Sequence, residues 1–428
     1  MCLCQNNDDD ETHRNITLRQ VWILRVMLSE GKMQKRDIKR RKRKFSRYKP
    51  SDSGAPVTVA RLFLLLLFII IVVNLIIPDR LYSAGENRTL TTRPIMSTNN
   101  ILSGSYMEQY ERYLRDQIFG RGLLRTFSIN IRRLGGNRVE EGVFLGRGNQ
   151  LLEDIVAIDS ENLAENIEGI QSFIRRYPTV NHHMILVPDA ANIWADQLPP
   201  LATVIDQNRQ FSLVRTELED HLVWIDVSEA LQESNEKIYH QTDHHWTSLG
   251  AFLAFQEAAP LLRIEGDFST AFAAFPVTTN FRGGLATRSG FLPAISEEIF
   301  IFVPRGEATE VIVNYLEEQR RATTLFQQER LDGGNPHDIF LGGGTSVVAI
   351  QSPSFSNRRL LIINDSFANS FVQFLIPHFR EIILVNPRYY TGTIDELMLN
   401  YRVTDSLILY SGNGFFSDNH LSGVMRSE

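Results

Sequence analysis

An apolar run at residues 57–77 constrains the fold of this chain more than any other feature. Within it only Thr58, Arg61 and Asn74 are polar. About 20 helical residues at ~1.5 Å each match the ~30 Å hydrocarbon core of a bilayer. Pro78-Asp79-Arg80 ends the run. The sequence therefore predicts one membrane-spanning helix near the N-terminus.

The charges before this run predict its orientation. Between Lys32 and Lys49 there are eleven Lys and Arg residues and one acid, although the whole chain has a net charge of −6. A basic block could bind nucleic acid, but one beside an apolar span is retained in the cytoplasm by the positive-inside rule. We therefore expect residues 1–56 to be cytoplasmic, residues 57–77 to be a signal anchor in the cell membrane, and no nucleic acid to be bound.

The alternative to an anchor is an unusually long signal peptide, but residues 81–85 offer only a poor small-x-small cleavage site. Both cysteines, Cys2 and Cys4, precede the span, so no disulfide can form after it. A large exported domain without cysteine is typical of a bacterial cell surface. Translation is expected to begin at Met33, because the codons of residues 29–32 could contain a ribosome-binding sequence.

After the span the chain alternates between apolar runs and helical patterns. Residues 78–104 are polar without periodicity and predict a linker, and residues 105–428 predict one extracytoplasmic α/β domain. Its sheet should be mainly parallel, with helices on both faces and the ligand outside the carboxyl ends of the strands. Residues 264–356 contain three glycine runs and are expected to form an excursion over the site. Strands are predicted at 143–145, 184–187, 223–227, 360–363, 382–385 and 407–410, and helices at 105–121, 161–177, 247–262, 367–379 and 394–401.

Two blocks carry residues suited to acyl transfer. Asp243 lies two positions before His245, as a carboxylate must when it orients a histidine that takes a proton from a nucleophile. In an extended segment these two side chains would face one site and His244 would face away. Ser366 lies between a predicted strand and a predicted helix, a corner that exposes a serine hydroxyl and offers N–H groups to an oxyanion. The alternative for Ser366 is a helix N-cap.

The competing interpretation of the first block is a metal site with His240 as a fourth ligand. Three adjacent residues are not expected to turn toward one tetrahedral ion, and the spacing matches no zinc motif. We therefore predict no metal and no cofactor. Trp246 is expected to pack in the core, with stacking on a sugar as the alternative.

The two blocks, Thr242 to Thr247 and Asp365 to Phe371, resemble the DHHW proteins. These are relatives of the SGNH hydrolase-like domains that O-acetylate alginate outside the bacterial cell. The resemblance extends over about residues 105–415 and implies an SGNH hydrolase-like fold. It also implies that Ser366 is the nucleophile, His245 the general base and Asp243 its orienting partner. Asn364 departs from the Gly that many relatives have before Asp-Ser.

The oxyanion and substrate groups are less well located by the sequence. The backbone N–H of Ser366 is one expected oxyanion donor, and Gly343 or Gly344 is a second, because glycine permits close backbone approach. The alternative for the glycine run is a hairpin turn. Arg388 is a candidate donor or substrate clamp, with a structural ion pair as the alternative.

These observations favour a membrane-anchored O-acetyltransferase that acts on a surface or secreted polysaccharide through an acyl-enzyme. The resemblance implies that a separate membrane-bound O-acyltransferase supplies the acetyl group, since acetyl-CoA is not available outside the cell. A carbohydrate acetylesterase with water as acceptor is the first alternative. The second is a non-catalytic polysaccharide-binding or assembly protein, against which the intact Ser366, His245 and Asp243 argue.

Overall fold

The computed structural model describes residues 55–83, 88–291, 296–306, 310–331 and 335–426. The chain divides into two compact units, one ending at Pro78 and the other beginning at Asp79. In the first unit, helix α1 (Ala55–Ile76) contains all but the last residue of the apolar run. Its stretch Val57–Ile76 is long and apolar enough to cross a membrane, and none of it is buried. This agrees with an anchor, while the basic block at 32–49 lies outside the described residues.

Fifteen strands are described in the second unit. In chain order they are β1 Tyr82–Ser83, β2 Arg88–Thr89, β3 Val139–Glu140, β4 Val143–Leu145, β5 Leu151–Glu153, β6 Asn181–Val187, β7 Val223–Trp224, β8 Phe272–Phe281, β9 Glu297–Pro304, β10 Ile312–Tyr315, β11 Arg320–Ala322, β12 Val347–Gln351, β13 Arg359–Asn364, β14 Glu381–Val385 and β15 Asp405–Ser411.

The described α-helices of this unit are α2 Thr98–Leu102, α3 Ser105–Gln117, α4 Arg121–Leu134, α5 Ser160–Arg176, α6 Ala190–Ile193, α7 Gln207–Leu218, α8 Ser228–Glu233, α9 Ser248–Leu261, α10 Gly284–Ser289, α11 Ala368–Phe371, α12 Ile394–Tyr401, α13 Gly412–Ser417 and α14 Leu421–Met425. Short 3-10 helices lie at Arg147–Asn149, Ala195–Gln197, Gln328–Arg330, Pro336–Ile339 and Val372–Phe374.

The main sheet has eight strands in the order β11-β10-β12-β14-β13-β15-β6-β7. The pairs from β14 to β7 are parallel, and those that join β12, β10 and β11 are antiparallel. The predicted α/β fold with a mainly parallel sheet is therefore confirmed. Small separate sheets are formed by β1 with β2, by β3 to β5, and by β8 with β9.

Both faces of this sheet are covered, as expected from its apolar strands. Leu360 and Ile362 of β13 pack in one hydrophobic cluster with Phe255 of α9. Leu361 and Ile363, the alternate residues, pack in a second cluster on the other face that includes Phe173 of α5. Since successive side chains of a strand point to opposite faces, one buried strand requires helices on both sides.

Three segments differ from the sequence-based expectation. Residues 78–104 contain β1, β2 and α2 rather than only a linker, and α2 begins where Ser97 Oγ accepts a hydrogen bond from Asn100 N. The helix expected at 367–379 is α11 followed by one 3-10 turn, in keeping with the preference of Pro377 for the end of a helix. Part of 264–356 joins the main sheet as β10, β11 and β12, so only β8 and β9 leave it.

Candidate active site

Ser366 lies in the turn between the carboxyl end of β13 and α11. The preceding residue fixes this turn: Asp365 Oδ1 accepts a hydrogen bond from Phe367 N at 3.0 Å. Asp365 Oδ2 accepts two from Ser411, at the end of the neighbouring strand β15, through its N at 2.9 Å and its Oγ at 2.7 Å. Burial nevertheless raises the pKa of Asp365. The serine is thus held at the strand ends where ligands of such sheets bind.

The structure brings the two sequence blocks together. His245 Nε2 lies 2.7 Å from Ser366 Oγ, and His245 Nδ1 lies 2.5 Å from Asp243 Oδ1. Both Asp243 and His245 are buried. These distances are hydrogen-bond lengths, so one imidazole connects the carboxylate to the hydroxyl.

The segment that holds Asp243 and His245 is not the extended strand that we expected. It is a loop closed by a single bridge between Tyr239 and Trp246. Asp243 and His245 face one site because Asp243 Oδ1 also accepts a hydrogen bond from His245 N at 3.1 Å, a turn that Asp favours. His244 does not face away, since its ring centroid lies 4.0 Å from that of His245.

The excursion residues hold this loop in place. Glu297, at the start of β9, accepts hydrogen bonds from Gln241 N at 2.6 Å, from Thr242 N at 2.7 Å and from the Thr242 hydroxyl. Gly284 N donates to Asp243 Oδ2 at 2.6 Å, which satisfies the second carboxylate oxygen. Glu297, Gly283 and Gly284 were not expected at the site, and the adjacent pair of glycines was the one available sequence signal.

The surroundings keep both connected groups in their deprotonated forms at neutral pH. Burial, reinforced by the His244 imidazole and opposed by the Asp243 carboxylate, lowers the pKa of His245 to about 4. Burial alone would raise the pKa of Asp243, but the His244 and His245 imidazoles hold it well below its usual range. At neutral pH Asp243 is therefore ionised and His245 is neutral, with Nδ1–H donating to Asp243 and Nε2 free to accept the Ser366 proton.

Two further ionisable groups come from the 3-10 helix Pro336–Ile339. The His337 ring stacks on the His245 ring, with centroids 4.0 Å apart and planes inclined by 12°. Burial holds the pKa of His337 well below its ordinary value, and His337 Nε2 has no hydrogen-bond partner among the described residues. Burial also raises the pKa of Asp338 to about 6. No sequence pattern had indicated either residue.

A pocket of about 300 Å³ opens beside Ser366 and His245. It is lined by three of the residues predicted as oxyanion or substrate groups, Gly343, Gly344 and Arg388. Gly343 has a φ of +94°, which by itself explains the glycine. The alternative proposed for Arg388 is not observed, because its side chain forms no ion pair with a described residue. The polar lining also includes Asp338, Thr345, Ser346, Asn364, Asn369, Asn386, Ser417, Asp418, Asn419 and His420.

Trp246 does not line this pocket, so the idea that it stacks on a sugar is wrong for this structure. Its side chain is fully buried. Its Nε1–H donates to Phe367 O at 3.1 Å and to Ser370 Oγ at 2.9 Å. Trp246 therefore ties the histidine loop to the serine turn and packs in the core, as expected.

The geometry also corrects part of the argument against a metal. Possible ligand atoms of Asp243, His244 and His245 lie within 4.8 Å of one another, although the residues are adjacent. His240, considered as a fourth ligand, lies instead 3.5 Å from Glu297. Both nitrogens of His245 already pair with Asp243 and Ser366, so an ion held by His245 would have to displace one of these hydrogen bonds.

The close approach of Gly283 to Asp243 generates a prediction. A β-carbon added at Gly283 would overlap the Asp243 side chain and lie 2.7 Å from its Cα. Gly283→Ala should therefore displace Asp243 and slow covalent labelling of Ser366 by a sulfonyl fluoride about a hundredfold, the loss expected of a ~1 Å misplacement. The readout is the rate of mass increase of the intact protein.

Gly122→Ala is the matched control, because Gly122 lies in α4 with nothing within 4 Å of the added carbon. It should leave the labelling rate unchanged. Equal labelling rates for the two variants would show that Asp243 does not need the space at Gly283.

Comparison with known proteins supports the fold of this site. Residues 152–333 match a family model described as SGNH hydrolase-like domain, acetyltransferase AlgX. The matched residues include Asp243 and His245 but end before Ser366. Comparison with curated proteins finds no match.

Two solved structures of low sequence identity share the fold. A DHHW family protein from Eubacterium siraeum DSM 15702 is 19% identical, with a TM-score of 0.58 over 67% of this chain and 96% of that chain. PatB1 of Bacillus cereus with a sulfonyl adduct is 15% identical, with a TM-score of 0.55 over 65% of this chain and 97% of that chain. The resemblance inferred from the two blocks is thus confirmed: the chain carries an SGNH hydrolase-like α/β domain, similar to that of the acetyltransferase AlgX and to a DHHW family protein.

Proposed function

We propose that this protein is a serine-dependent O-acetyltransferase that acts on a surface or secreted polysaccharide outside the cytoplasm. The observation that carries the proposal is the 2.7 Å approach of His245 Nε2 to Ser366 Oγ, with Asp243 at 2.5 Å on the other ring nitrogen. The similarity to the acetyltransferase AlgX model supports acyl transfer as the reaction.

In the first half-reaction His245 Nε2 takes the Ser366 proton while Oγ attacks the carbonyl carbon of an acetyl ester. The bond to the donor oxygen then breaks, and the imidazolium returns the proton to that oxygen. In the second half-reaction a sugar hydroxyl loses its proton to His245, attacks the acetyl carbon, and Ser366 leaves with that proton. Asp243 remains ionised throughout and stabilises the imidazolium.

In each half-reaction negative charge develops on the carbonyl oxygen, and hydrogen-bond donors must stabilise it. We assign Ser366 N–H as the first of these donors, since it donates to no described residue and lies just after the carboxyl end of β13. Gly343 and Gly344 remain the candidates for a second donor, and Arg388 for a contact to the acceptor, because all three line the pocket with Ser366. Removing one oxyanion donor typically costs about 10²-fold to 10³-fold in turnover.

The membrane context completes the proposal. The helix Val57–Ile76 would anchor the protein with its N-terminus in the cytoplasm and the SGNH-like domain outside. Because acetyl-CoA is absent there, the acetyl group would come from a membrane-bound O-acyltransferase. A carbohydrate acetylesterase is the second candidate, since the same triad with water as acceptor would hydrolyse the acyl-enzyme.

The nucleophile can be tested by substitution. Ser366→Ala and His245→Ala should each lower turnover of an acetyl-ester surrogate by about 10⁶-fold, and Asp243→Asn by about 10⁴-fold. The losses should not add in double variants, because the three groups act as a unit. Ser417→Ala is the control: Ser417 lines the same pocket but donates to Asn413 O at 2.6 Å. Wild-type turnover in Ser366→Ala would refute the serine mechanism. If a chelator abolished turnover and added metal restored it, the metal interpretation would be favoured.

The buried imidazole generates a pH prediction. His245 must be neutral to accept a proton, and its pKa is lowered from 6.5 to about 4. Activity should therefore persist well below pH 6.5 and be lost as the pH falls through about 4, as measured from kcat/KM against pH.

His244→Ala provides a sharper form of this test. The charge of the His244 imidazole contributes to lowering the pKa of His245, so its removal should move the acid limb to higher pH with little change in the plateau. An acid limb near 6.5 in the wild-type protein would contradict the assigned surroundings of His245.

Transfer and hydrolysis can be separated with the purified full-length protein in detergent. In a transferase the acyl-enzyme must outlast its encounters with water, and a positioned sugar hydroxyl should compete far beyond its molar share. An acetyl-ester donor and oligosaccharides should then give acetylated sugar, with a covalent acetyl adduct on Ser366 when the acceptor is absent. Rapid donor hydrolysis unaffected by any acceptor, including the organism's own polysaccharide, would support the esterase instead. Glycan binding without either reaction would support a non-catalytic role.

A further inference from the structure

Helix α4 (Arg121–Leu134) differs from the rest of its unit in charge. Residues 118–138 contain five arginines and no acidic residue, whereas residues 79–428 contain 29 Lys and Arg against 43 Asp and Glu. One of these charges is paired, because Arg132 Nε lies 2.9 Å from Glu140 Oε1, but the segment keeps a net positive charge on an otherwise acidic domain. Such a segment is attracted to anionic surfaces that would repel the domain as a whole.

The same helix presents an apolar face to solvent. Leu123, Phe127, Ile131 and Leu134 follow one another at intervals of four, four and three residues and so lie on one face. Their side chains are 79, 66, 52 and 90% exposed. Leu124 and Phe119 are also exposed. Contiguous apolar patches of this kind mark interaction sites, unlike single exposed residues.

The opposite face of α4 is the one that packs on the domain. Ile129 is buried in a small cluster with Leu145, Leu151 and Phe291, and Arg125 donates to Thr287 O at 3.0 Å. The apolar face is therefore exposed even though the helix is docked on the domain. It is the outward side of a helix already fixed to the domain.

The wider distribution of exposed apolar residues points to the membrane as the occupant. Of the 25 large hydrophobic side chains that are exposed among the described residues after 78, twelve lie between Ile95 and Leu134. This stretch begins 19 residues after the end of the apolar helix Val57–Ile76. A cationic amphipathic helix with Leu and Phe on one side is the form that lies in the boundary between lipid headgroups and acyl chains.

We propose that α4 is a membrane-surface helix, with Leu123, Phe127, Ile131 and Leu134 in the outer part of the acyl region of an anionic membrane. The proposal rests on the proposed anchoring by α1, but not on the proposed chemistry. It gives the SGNH-like domain a second attachment to the bilayer, so that the domain is held at the membrane surface and not only tethered to it.

The test uses the full-length chain in nanodiscs that each hold one copy. In a background with Cys2→Ser and Cys4→Ser, a single Leu123→Cys carries an environment-sensitive fluorophore. In discs that contain phosphatidylglycerol its emission should shift to shorter wavelength, and lipids brominated near the headgroup should quench it. Leu213→Cys is the matched control, because Leu213 is also an exposed leucine on a surface helix, α7. Its probe should show neither change.

Two outcomes would overturn the proposal. Equal emission from the two probes would show that α4 stays in water. A blue shift at Leu123 without lipid quenching would show that protein, not lipid, covers the face. Quenching should be weaker in zwitterionic discs than in anionic discs, because residues 118–138 carry a net positive charge; equal quenching would remove the role of charge. Labelling of Ser366 by a sulfonyl fluoride in the same discs reports separately on folding and on the proposed chemistry.

Discussion

The buried carboxylate of Asp243 is the constraint on which the rest of the site depends. A buried charge is tolerated only when it is fully paired, and removal of one partner of such a pair typically costs about 3–5 kcal/mol. Oδ1 is paired with His245 N and Nδ1, and Oδ2 with Gly284 N. These partners come from the histidine loop itself and from the excursion that crosses it. The ionised state of Asp243 therefore requires both segments to be folded against each other.

The same requirement explains why the excursion, residues 264–356, holds the histidine loop in place and does not merely cover the site. Glu297 pairs with the backbone of Gln241 and Thr242, and burial of Glu297 would be costly without these donors. His337 contributes the ring that stacks on His245. Each of these contacts joins residues that are more than 50 positions apart in the chain. Asp243 and His245 are thus fixed by long-range contacts rather than by the local preference of the Asp-His-His-Trp segment.

The fold was predicted well where the signal was local. The strand β13 and the helices α5, α9 and α12 follow apolar periodicity, because each buries one defined face. The proximity of Ser366 to His245 followed from two motif blocks and a resemblance, not from periodicity. What the sequence did not predict depends on contacts between distant segments: the role of Glu297, the stacked His337, and β10 to β12 at the sheet edge. Isolated apolar runs after a glycine-rich segment do not indicate which edge they will join.

The low pKa of His245, which follows chiefly from its burial, has a consequence for how the site would divide acid and base catalysis. A base whose pKa lies near 4 binds a proton weakly, so its conjugate imidazolium is a stronger acid than ordinary histidine. A low pKa therefore weakens general-base catalysis, which activates the attacking hydroxyl, and strengthens general-acid catalysis, which protonates the departing oxygen. An alkoxide is a poor leaving group, and acetyl exchange between sugars or carriers always expels one. An imidazole that cannot hold its proton is suited to exchange in which bond breaking, and not attack, is the harder half.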